Sequence, residues 1–348
     1  MADQDRGGGG LDYRSAGVDL EKADRAKEGI RSLVEGTRDR WTLSGLGSFG
    51  GLYQVPDDVE SPVLVSSADG VGTKLKLAFR TGVHDTVGQD LVNHCVNDIL
   101  VQGARPLFFM DYLATGEMDE GVIEAVVAGM ARACQENRCS LLGGETAQMP
   151  DFYQPGEYDL AGFIVGIVGR KQILDGSRVQ DGDLLVGLPS SGLHTNGYTL
   201  ARKIIFERAG LSVEDKIPGT TETVGPALLR IHRSYLPSLG PELERDSIRA
   251  MAHITGGGIP GNLPRVLPEG LGARILKDSW QVPALFQALA QLGDVDVQEM
   301  FRVFNMGVGM IVVTDPDEGP ELVARLRDRG EGAWILGRVE AGEGVELE

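Results

Sequence analysis

Glycine-rich turns that directly follow two apolar runs restrict what this chain can fold into more than any other feature. The apolar run 62–67 leads into Asp69-Gly-Val-Gly-Thr-Lys74, and the run 139–142 leads into Gly143-Gly144-Glu145. Glycine permits tight turns and lets a backbone approach a ligand closely. In α/β proteins, ligands bind where strands end in turns of this kind. The sequence therefore predicts strands that end at a ligand site.

Runs of strand length alternate with segments of helical periodicity along the whole chain. This alternation predicts a mixed α/β (α+β) fold. Because 348 residues exceed what a single core usually supports, two domains are predicted. The polar segment 171–183 contains two Asp-Gly turns and marks the boundary. The predicted parts are a flexible tail over residues 1–17, an N-terminal domain over 18–170 and a C-terminal domain over 171–348.

Charge and composition exclude several classes of partner. The net charge of −18 argues against nucleic acid, whose phosphates would be repelled. No apolar run reaches the roughly 18 residues that a membrane span needs, and residues 1–10 lack the apolar stretch of a secretion signal. The three cysteines form no CxxC motif and make a poor disulfide framework. We therefore expect a cytoplasmic protein.

The segment 69–74 combines a carboxylate, two glycines, a hydroxyl and an ammonium group. Mg²⁺ prefers carboxylate, water and phosphate oxygens, so Asp69 is a candidate ligand. Lys74 carries a compact charge suited to phosphate. The spacing is not that of a Walker A motif. An Asp-Gly turn followed by a solvated lysine is the alternative interpretation.

The helix predicted over 86–102 carries a polar stripe. Asp90, His94, Asn97 and Asp98 fall at i, i+4, i+7 and i+8, so they share one face. A solvated stripe usually contains lysine or arginine, and this one contains neither. With Asp69 and Glu145, the acids that follow the two strands, the stripe predicts a metal–phosphate site.

Three further segments have both a functional and a structural interpretation. The polar segment 190–197 suits substrate contact, or it is the capping turn of a helix. His253 precedes the run Gly256–Gly258, which resembles an anion-binding nest, and the alternative is that this histidine has only a structural role. The glycine loop 44–51 is either a flap that closes over phosphates or an ordinary connector.

In these segments the chain resembles the phosphoribosylformylglycinamidine cyclo-ligase family. The matching blocks follow in family order from about residue 12 onward: DGVGTKLKLA (69–78), QDLVNHCVNDILVQGARPLFFMDYLATG (89–116), GGETAQMPDFY (143–153), SSGLHTNGYTL (190–200), HITGGGIPGNLPRVLP (253–268) and FNMGVGM (304–310). The resemblance implies a two-domain PurM-like fold. It also implies a homodimer in which the N-terminal sheets of two subunits form a barrel.

The resemblance implies ATP-dependent closure of formylglycinamidine ribonucleotide to aminoimidazole ribonucleotide, with release of ADP and phosphate, in purine biosynthesis. The formyl oxygen would attack the γ-phosphate to give an iminophosphate, and an amidine nitrogen would then close the ring. One alternative is a small-molecule kinase of the same superfamily, such as thiamine monophosphate kinase. A non-catalytic scaffold is the other, and the intact set of Asp69, Lys74 and Glu145 argues against it.

The resemblance also implies ATP and Mg²⁺ as cofactors and assigns roles to single residues. Catalysis is assigned to Lys74, His194 and His253. Nucleotide binding is assigned to Gly47, Gly50, Asp69, Gly70, Gly72, Thr73, Lys74, Asp98, Gly143 and Gly144. Substrate binding is assigned to His194, Thr195, Asn196, Gly256, Gly257 and Gly258. Metal binding is assigned to Asp69, Asp98 and Glu145. The expected partners are the two small molecules and a second copy of the chain, with no nucleic acid and no membrane.

Overall fold

The first half of the chain forms a four-stranded sheet with helices packed on one face. The computed structural model describes Tyr13 and residues 20–348, so the predicted tail over 1–17 lies outside the described residues apart from Tyr13. The helices are α1 (Leu20–Glu35), α2 (Leu75–Thr81), α3 (Asp85–Leu100) and α4 (Glu120–Glu136). The strands are β1 (Pro62–Gly70), β2 (Arg105–Thr115), β3 (Ser140–Gln148) and β4 (Tyr158–Gly169).

The sheet order is β1-β4-β2-β3, with β2 and β3 parallel and β4 antiparallel to both of its neighbours. On α3, four apolar side chains at helical spacing are fully buried: Val87, Leu91, Cys95 and Ile99. Glycines let α3 approach α4 closely, because a Cβ added at Gly129 would lie 1.9 Å from the backbone oxygen of Asp85. The apolar pattern thus predicted this layer correctly.

The opposite face of this sheet is open in the single chain. Leu64, Met110 and Phe163 lie on that face and are 57%, 38% and 48% exposed. The four strands do not close on themselves. The barrel across two copies of the chain stays a prediction.

The second half is built on a six-stranded sheet of order β10-β7-β9-β5-β8-β6, in which only the β10–β7 pair is parallel. The strands are β5 (Leu184–Pro189), β6 (Ile248–His253), β7 (Leu271–Ile275), β8 (Val308–Thr314), β9 (Trp334–Ala341) and β10 (Val345–Leu347). The helices are α5 (Tyr198–Arg202), α6 (Val224–Leu228), α7 (Leu236–Leu243), α8 (Gly258–Asn262), α9 (Ala284–Gly293), α10 (Val297–Val303) and α11 (Gly319–Asp328).

The two halves share buried side chains. Leu77 packs into a second-half cluster around Phe286, and Leu100 packs into another around Tyr235. The mixed α/β prediction is confirmed, and the predicted division at residue 170 falls between β4 and β5. That the halves are separate domains stays a prediction. Over the part of the chain that the structure describes, no helix is both long enough and apolar enough to cross a bilayer.

The close contact between α3 and α4 predicts that Gly129→Ala destabilises the protein. The new methyl group would meet the Asp85 backbone oxygen, and overpacking of this kind costs about 1–3 kcal/mol. Gly121→Ala in the same helix is the control, since its methyl group would meet only a side-chain oxygen at 3.5 Å. Urea unfolding at constant m-value measures both variants. Equal midpoints would contradict the close packing.

Candidate functional site

The polar stripe of α3 is buried against the second half of the chain. Asn93 and Asn97 each donate a side-chain hydrogen bond of 2.8 Å to a backbone oxygen of the segment 232–235. The Asp90 carboxylate accepts a hydrogen bond of 2.6 Å from the backbone N–H of His232. These bonds satisfy buried polar groups on both sides. The stripe therefore fixes the junction between the two halves.

Lys74 is fully buried at this junction, which corrects the prediction that it contacts phosphate. Its Nζ lies 2.7 Å from Asp90 Oδ2, 2.6 Å from the backbone oxygen of Arg230 and 3.3 Å from that of His194. Burial lowers the pKa of Lys74, while the charge of Asp90 opposes that shift. Because three acceptors already surround the ammonium, it is not free to meet a nucleotide.

Four imidazoles meet beside this ion pair. Nε2 of His232 lies 2.9 Å from Nε2 of His253, and the ring of His194 stacks on that of His232 at 4.0 Å. The hydroxyl of Thr195 lies 2.8 Å from Nδ1 of His94 and 3.2 Å from Nδ1 of His232. Side chains from both halves thus form one buried polar cluster.

Burial and nearby charges give these imidazoles different states. Burial lowers the pKa of His194 and His232 well below the usual range, so both are neutral. Burial also lowers the pKa of His94, but the hydrogen bond to Asp69 and the charge of Asp98 outweigh it, and the net shift is upward. A positive charge on the cluster is therefore favoured on His94, beside the two carboxylates.

Asp69 and Asp98 converge on His94. Asp69 Oδ2 lies 2.9 Å from His94 Nε2, and Asp98 Oδ2 lies 4.0 Å from the same atom. Burial raises the pKa of each carboxyl, but hydrogen bonds from His94 and His253 respectively outweigh it, so both pKa values are lowered. The two ionised side chains are 40% and 25% exposed. This pair fits the predicted divalent cation.

Glu145 does not join that pair within one chain, which corrects the predicted ligand set. One row across the sheet contains Asp69, Gly162, Asp111 and Gly144, and the next row contains Gly70, Ala161, Tyr112 and Glu145. Adjacent rows point to opposite faces. Three strand spacings of about 4.8 Å also place Asp69 about 14 Å from the β3 edge. The set is therefore reduced to Asp69 and Asp98.

The glycine loop and the segment after Leu142 meet at a cavity of about 280 Å³. Gly47, Gly50, Gly143 and Gly144, all predicted to bind nucleotide, line it together with Glu145. A Cβ added at Gly47 or Gly50 would have no neighbour within 4 Å. Two segments that are far apart in the sequence thus line the same cavity.

A polar groove of about 540 Å³ lies where the segment 69–74 meets the segment 190–197. Thr73, Thr195, Asn196 and Lys203 line it, and the hydroxyls of Thr73 and Thr199 lie 3.0 Å apart. Asn196 also abuts the glycine run, since a Cβ at Gly256 would lie 3.1 Å from Asn196 Oδ1. The two predicted substrate-binding segments and the predicted nucleotide-binding segment 69–74 are therefore contiguous. Gly70 is the last residue of β1, and Gly72 begins the short turn that contains the groove residue Thr73.

Sequence reasoning assigned no role to His232, which contacts three other imidazoles. It lies in an irregular segment between α6 and α7, where no local periodicity marks it. The α3 stripe, with ligand-type side chains and no lysine or arginine, was the one sequence signal next to His232. It was interpreted as part of a metal–phosphate site and did not indicate that Asn93, Asn97 and Asp90 bind the segment that contains His232.

Family comparison matches both halves of the chain. Residues 47–168 match the N-terminal domain of the AIR synthase related proteins, and residues 180–348 match the C-terminal domain. A relative from Sorangium cellulosum (strain So ce56), "Phosphoribosylformylglycinamidine cyclo-ligase", is 51% identical over 329 residues, which are 94% of each chain.

Two solved structures are similar in fold. The thiamine-monophosphate kinase of Stenotrophomonas maltophilia K279a has a TM-score of 0.67 at 20% identity, over 92% of this chain and 96% of that one. The hydrogenase maturation protein HypE in complex with ATP has a TM-score of 0.65 at 18% identity, over 90% and 86% of the two chains. At these identities the likeness extends to the fold alone.

The burial of Lys74 predicts that Lys74→Met lowers stability, not only activity. Removing the ammonium leaves Asp90 buried without its partner, and such a loss costs about 3–5 kcal/mol. Lys76→Met is the control, because its partly exposed pair with Glu157 is worth less than about 1 kcal/mol. Urea unfolding compares the two, and K74M/D90L should recover part of the loss. A stable Lys74→Met protein would contradict this role.

Proposed function

We infer that this chain, a member of the AIR synthase related family, performs the phosphoribosylformylglycinamidine cyclo-ligase reaction of purine biosynthesis. The chain matches a cyclo-ligase over nearly its whole length. The reaction closes the ring of aminoimidazole ribonucleotide. We propose formylglycinamidine ribonucleotide and ATP as substrates, with ADP and phosphate as the other products. Cytoplasmic location stays a prediction.

The chemistry explains why ATP is needed. A formamide oxygen is a poor leaving group, so the proposed first step is its attack on the γ-phosphorus, which forms a C–O–P link and releases ADP. An amidine nitrogen of the same substrate then attacks that carbon and gives up a proton. The C–O bond breaks, and phosphate leaves with the electron pair. The protein mainly has to orient two anionic substrates and offset their charge.

The polar groove beside Asn196 is the observation that supports substrate binding most strongly. Its hydroxyl and amide groups suit the hydroxyls of a ribose and the substrate amide. Gly256 and Gly257 donate no backbone hydrogen bond to other described residues, so their N–H groups are available to a phosphate. We propose that the substrate lies along the groove with its phosphate at this turn.

His194 and His253 remain the proposed catalytic histidines, and the geometry suggests different tasks. His194 is buried, and its Nε2 accepts a hydrogen bond of 3.2 Å from the N–H of Ser191, so it holds the groove segment in position. His253 is tied to Asp98 at 2.9 Å. An imidazole backed by a carboxylate can take up the proton released in ring closure.

We propose that the nucleotide site has two parts. Asp69 and Asp98 would hold Mg²⁺, which neutralises phosphate charge when bound. The cavity beneath the glycine loop, with Glu145 beside it, lies at the other edge of the sheet. The HypE structure that resembles this fold holds ATP. We propose that the glycine loop 44–51 of this chain closes over the phosphates of ATP.

The separation of the two parts supports a homodimer. The Asp69 part lies on edge strand β1, and the glycine cavity lies on edge strand β3. We propose that two open faces meet and that the strands of two copies form the predicted barrel. Pairing β1 of one copy with β3 of the other would then join the two parts of one nucleotide site.

We expect turnover that depends strictly on both substrates. ATP and formylglycinamidine ribonucleotide should give aminoimidazole ribonucleotide, ADP and phosphate in equal amounts, since each ring closure consumes one phosphoryl group. A product-specific assay run beside an ADP assay measures the ratio. Thiamine monophosphate is the competing substrate, and its phosphorylation without ring closure would establish the kinase alternative instead.

The open sheet face predicts that Phe163→Asp dissociates the homodimer. A carboxylate in the middle of an apolar interface would be desolvated without a partner. Phe152→Asp is the matched control, because Phe152 is also exposed but lies in the turn after β3. Sedimentation velocity gives the oligomeric state, and the dissociated variant should lose ATP turnover. A dimeric Phe163→Asp protein would place the interface elsewhere.

A further inference from the structure

A carboxyl group in the cavity beneath the glycine loop takes no part in the proposed reaction steps. Asp111 on β2 lines this cavity together with Gly144 and Glu145. Burial raises the pKa of Asp111 to about 7, and the charge of Glu145 adds to that shift. Among the described residues, only the backbone N–H of Asp111 itself donates a hydrogen bond to this carboxyl group. A buried polar group with so few partners in its own chain is expected to find one in a ligand.

We propose that Asp111 determines the nucleotide specificity of the enzyme by accepting a hydrogen bond from the 6-amino group of adenine. The inference rests on the proposed function, which brings ATP to this cavity. It goes further, because it assigns the part of the cavity around Asp111 to the base and makes one side chain responsible for the choice of base.

The pairing of β2 with β3 leaves room for the carboxyl group. Asp111 lies opposite Gly144, and a Cβ added at Gly144 would collide with Oδ1 of Asp111. Glycine is therefore required at position 144 while the carboxyl group occupies this place. The register of the two strands also shifts between Phe109 and Met110. Such bulges re-aim side chains and are frequent beside active sites.

The carboxyl group points to the face of the sheet that the helices cover. Asp111 shares a row with Gly162, and a Cβ added at Gly162 would lie 2.9 Å from Cγ of Leu91 on α3. Side chains in one row of a sheet point to the same face. Asp111 therefore lies beneath the helix layer, one strand inward from the edge strand β3.

The walls around the carboxyl group suit a heterocyclic base. Apolar side chains of α1, α4 and β3 line the cavity: Ile30, Val34, Val127 and Leu141. A purine has two apolar faces, whereas each ribose hydroxyl would need a polar partner of its own there. The triphosphate carries acceptors and negative charge, which a carboxylate repels. The 6-amino group of adenine is a donor, and a carboxyl group has an accepting oxygen in either protonation state.

The two cations that line the cavity do not explain the carboxyl group. Nζ of Lys27 lies 3.8 Å from Asp24, and Nε of Arg31 lies 3.4 Å from Glu28. Neither forms an ion pair with Asp111 in the part of the chain that the structure describes. Asp111 is therefore not half of a buried salt bridge, and its free oxygens face the cavity.

The same arrangement disfavours a 6-oxo purine. Guanine and hypoxanthine carry a carbonyl oxygen where adenine carries its amino group. In the same pose, that oxygen would face the ionised carboxylate of Asp111 with no hydrogen between the two acceptors. A site built to bind a donor rejects an analogue that lacks it, because its own buried group then stays unpaired.

Base analogues test the proposal on the full wild-type chain. Isothermal titration calorimetry with Mg²⁺ present, at about pH 8.5 and so above the pKa of Asp111, compares ATP, ITP and purine riboside triphosphate. The last of these lacks any group at position 6. We expect both analogues to bind roughly 10-fold or more weakly than ATP, as for the loss of a hydrogen bond to a charged group. ITP bound as tightly as ATP would overturn the proposal.

Asp111→Asn assigns the preference to this side chain. The amide has the same shape and offers both an acceptor and a donor, so it can pair with a 6-amino or a 6-oxo group. The ratio of ATP to ITP affinity should therefore fall roughly 10-fold. Asp328→Asn is the control, because Asp328 is exposed at the end of α11 in the other half. An unchanged ratio in Asp111→Asn would overturn the assignment, as would a penalty for 2′-deoxy-ATP that Asp111→Asn removes.

Ring closure is measured separately, so that the two ideas can fail independently. Discrimination between ATP and ITP that depends on Asp111, in a protein that forms no aminoimidazole ribonucleotide, would count against the proposed function alone. Normal ring closure with a nucleotide preference that Asp111→Asn leaves unchanged would overturn this inference alone. A wild-type chain that binds no nucleotide would overturn both.

Discussion

The buried ion pair between Lys74 and Asp90 is the interaction on which the junction of the two halves depends. Taking two charges out of water costs several kcal/mol per ion, and attraction offsets this only when every remaining donor and acceptor is used. Here the ammonium also bonds the backbone oxygens of Arg230 and His194, and the carboxylate accepts the N–H of His232. The pair thereby fixes three points of the second half against α2 and α3.

The imidazole cluster is a consequence of that fixed junction. His194 and His232 stack because their backbones are held by the ion pair, and His194 even adopts a left-handed φ of 62°. Such a conformation costs a non-glycine residue of order 1–3 kcal/mol and persists only where the surroundings enforce it. Burial keeps these two rings neutral, so stacked imidazoles do not repel. The positive charge of the imidazole cluster is therefore favoured on its partly exposed side, where Asp69 and Asp98 lie beside His94.

Local sequence patterns predicted the helices and strands, but they did not predict on which face of the sheet a side chain lies. Helical spacing placed the polar side chains of α3 on one face, and the strand-then-glycine pattern located the beginnings of β1 and β3. The pattern was wrong about where these strands end, because Asp69-Gly70 and Gly143-Gly144-Glu145 lie inside β1 and β3 and not in turns after them. Glu145 was misplaced because its face depends on strand order and on an irregularity between Phe109 and Met110, neither of which leaves a local signal. Lys74 was misplaced because the groups that bury it come from distant segments. Such errors arise wherever a role depends on long-range pairing.

The glycines separate into two physical classes, those that packing requires and those that it does not. At Gly129 and Gly162 a side chain would collide with a neighbouring helix or ring, so packing alone requires glycine there. At Gly47 and Gly50 a Cβ would meet nothing within 4 Å, so packing within one chain does not require glycine. Gly47 adopts a left-handed φ of 93°, which explains that residue by backbone geometry, but no positive φ explains Gly50. Gly50 lines the cavity beside Gly144, the place where the proposed function brings the phosphates of ATP close to the backbone.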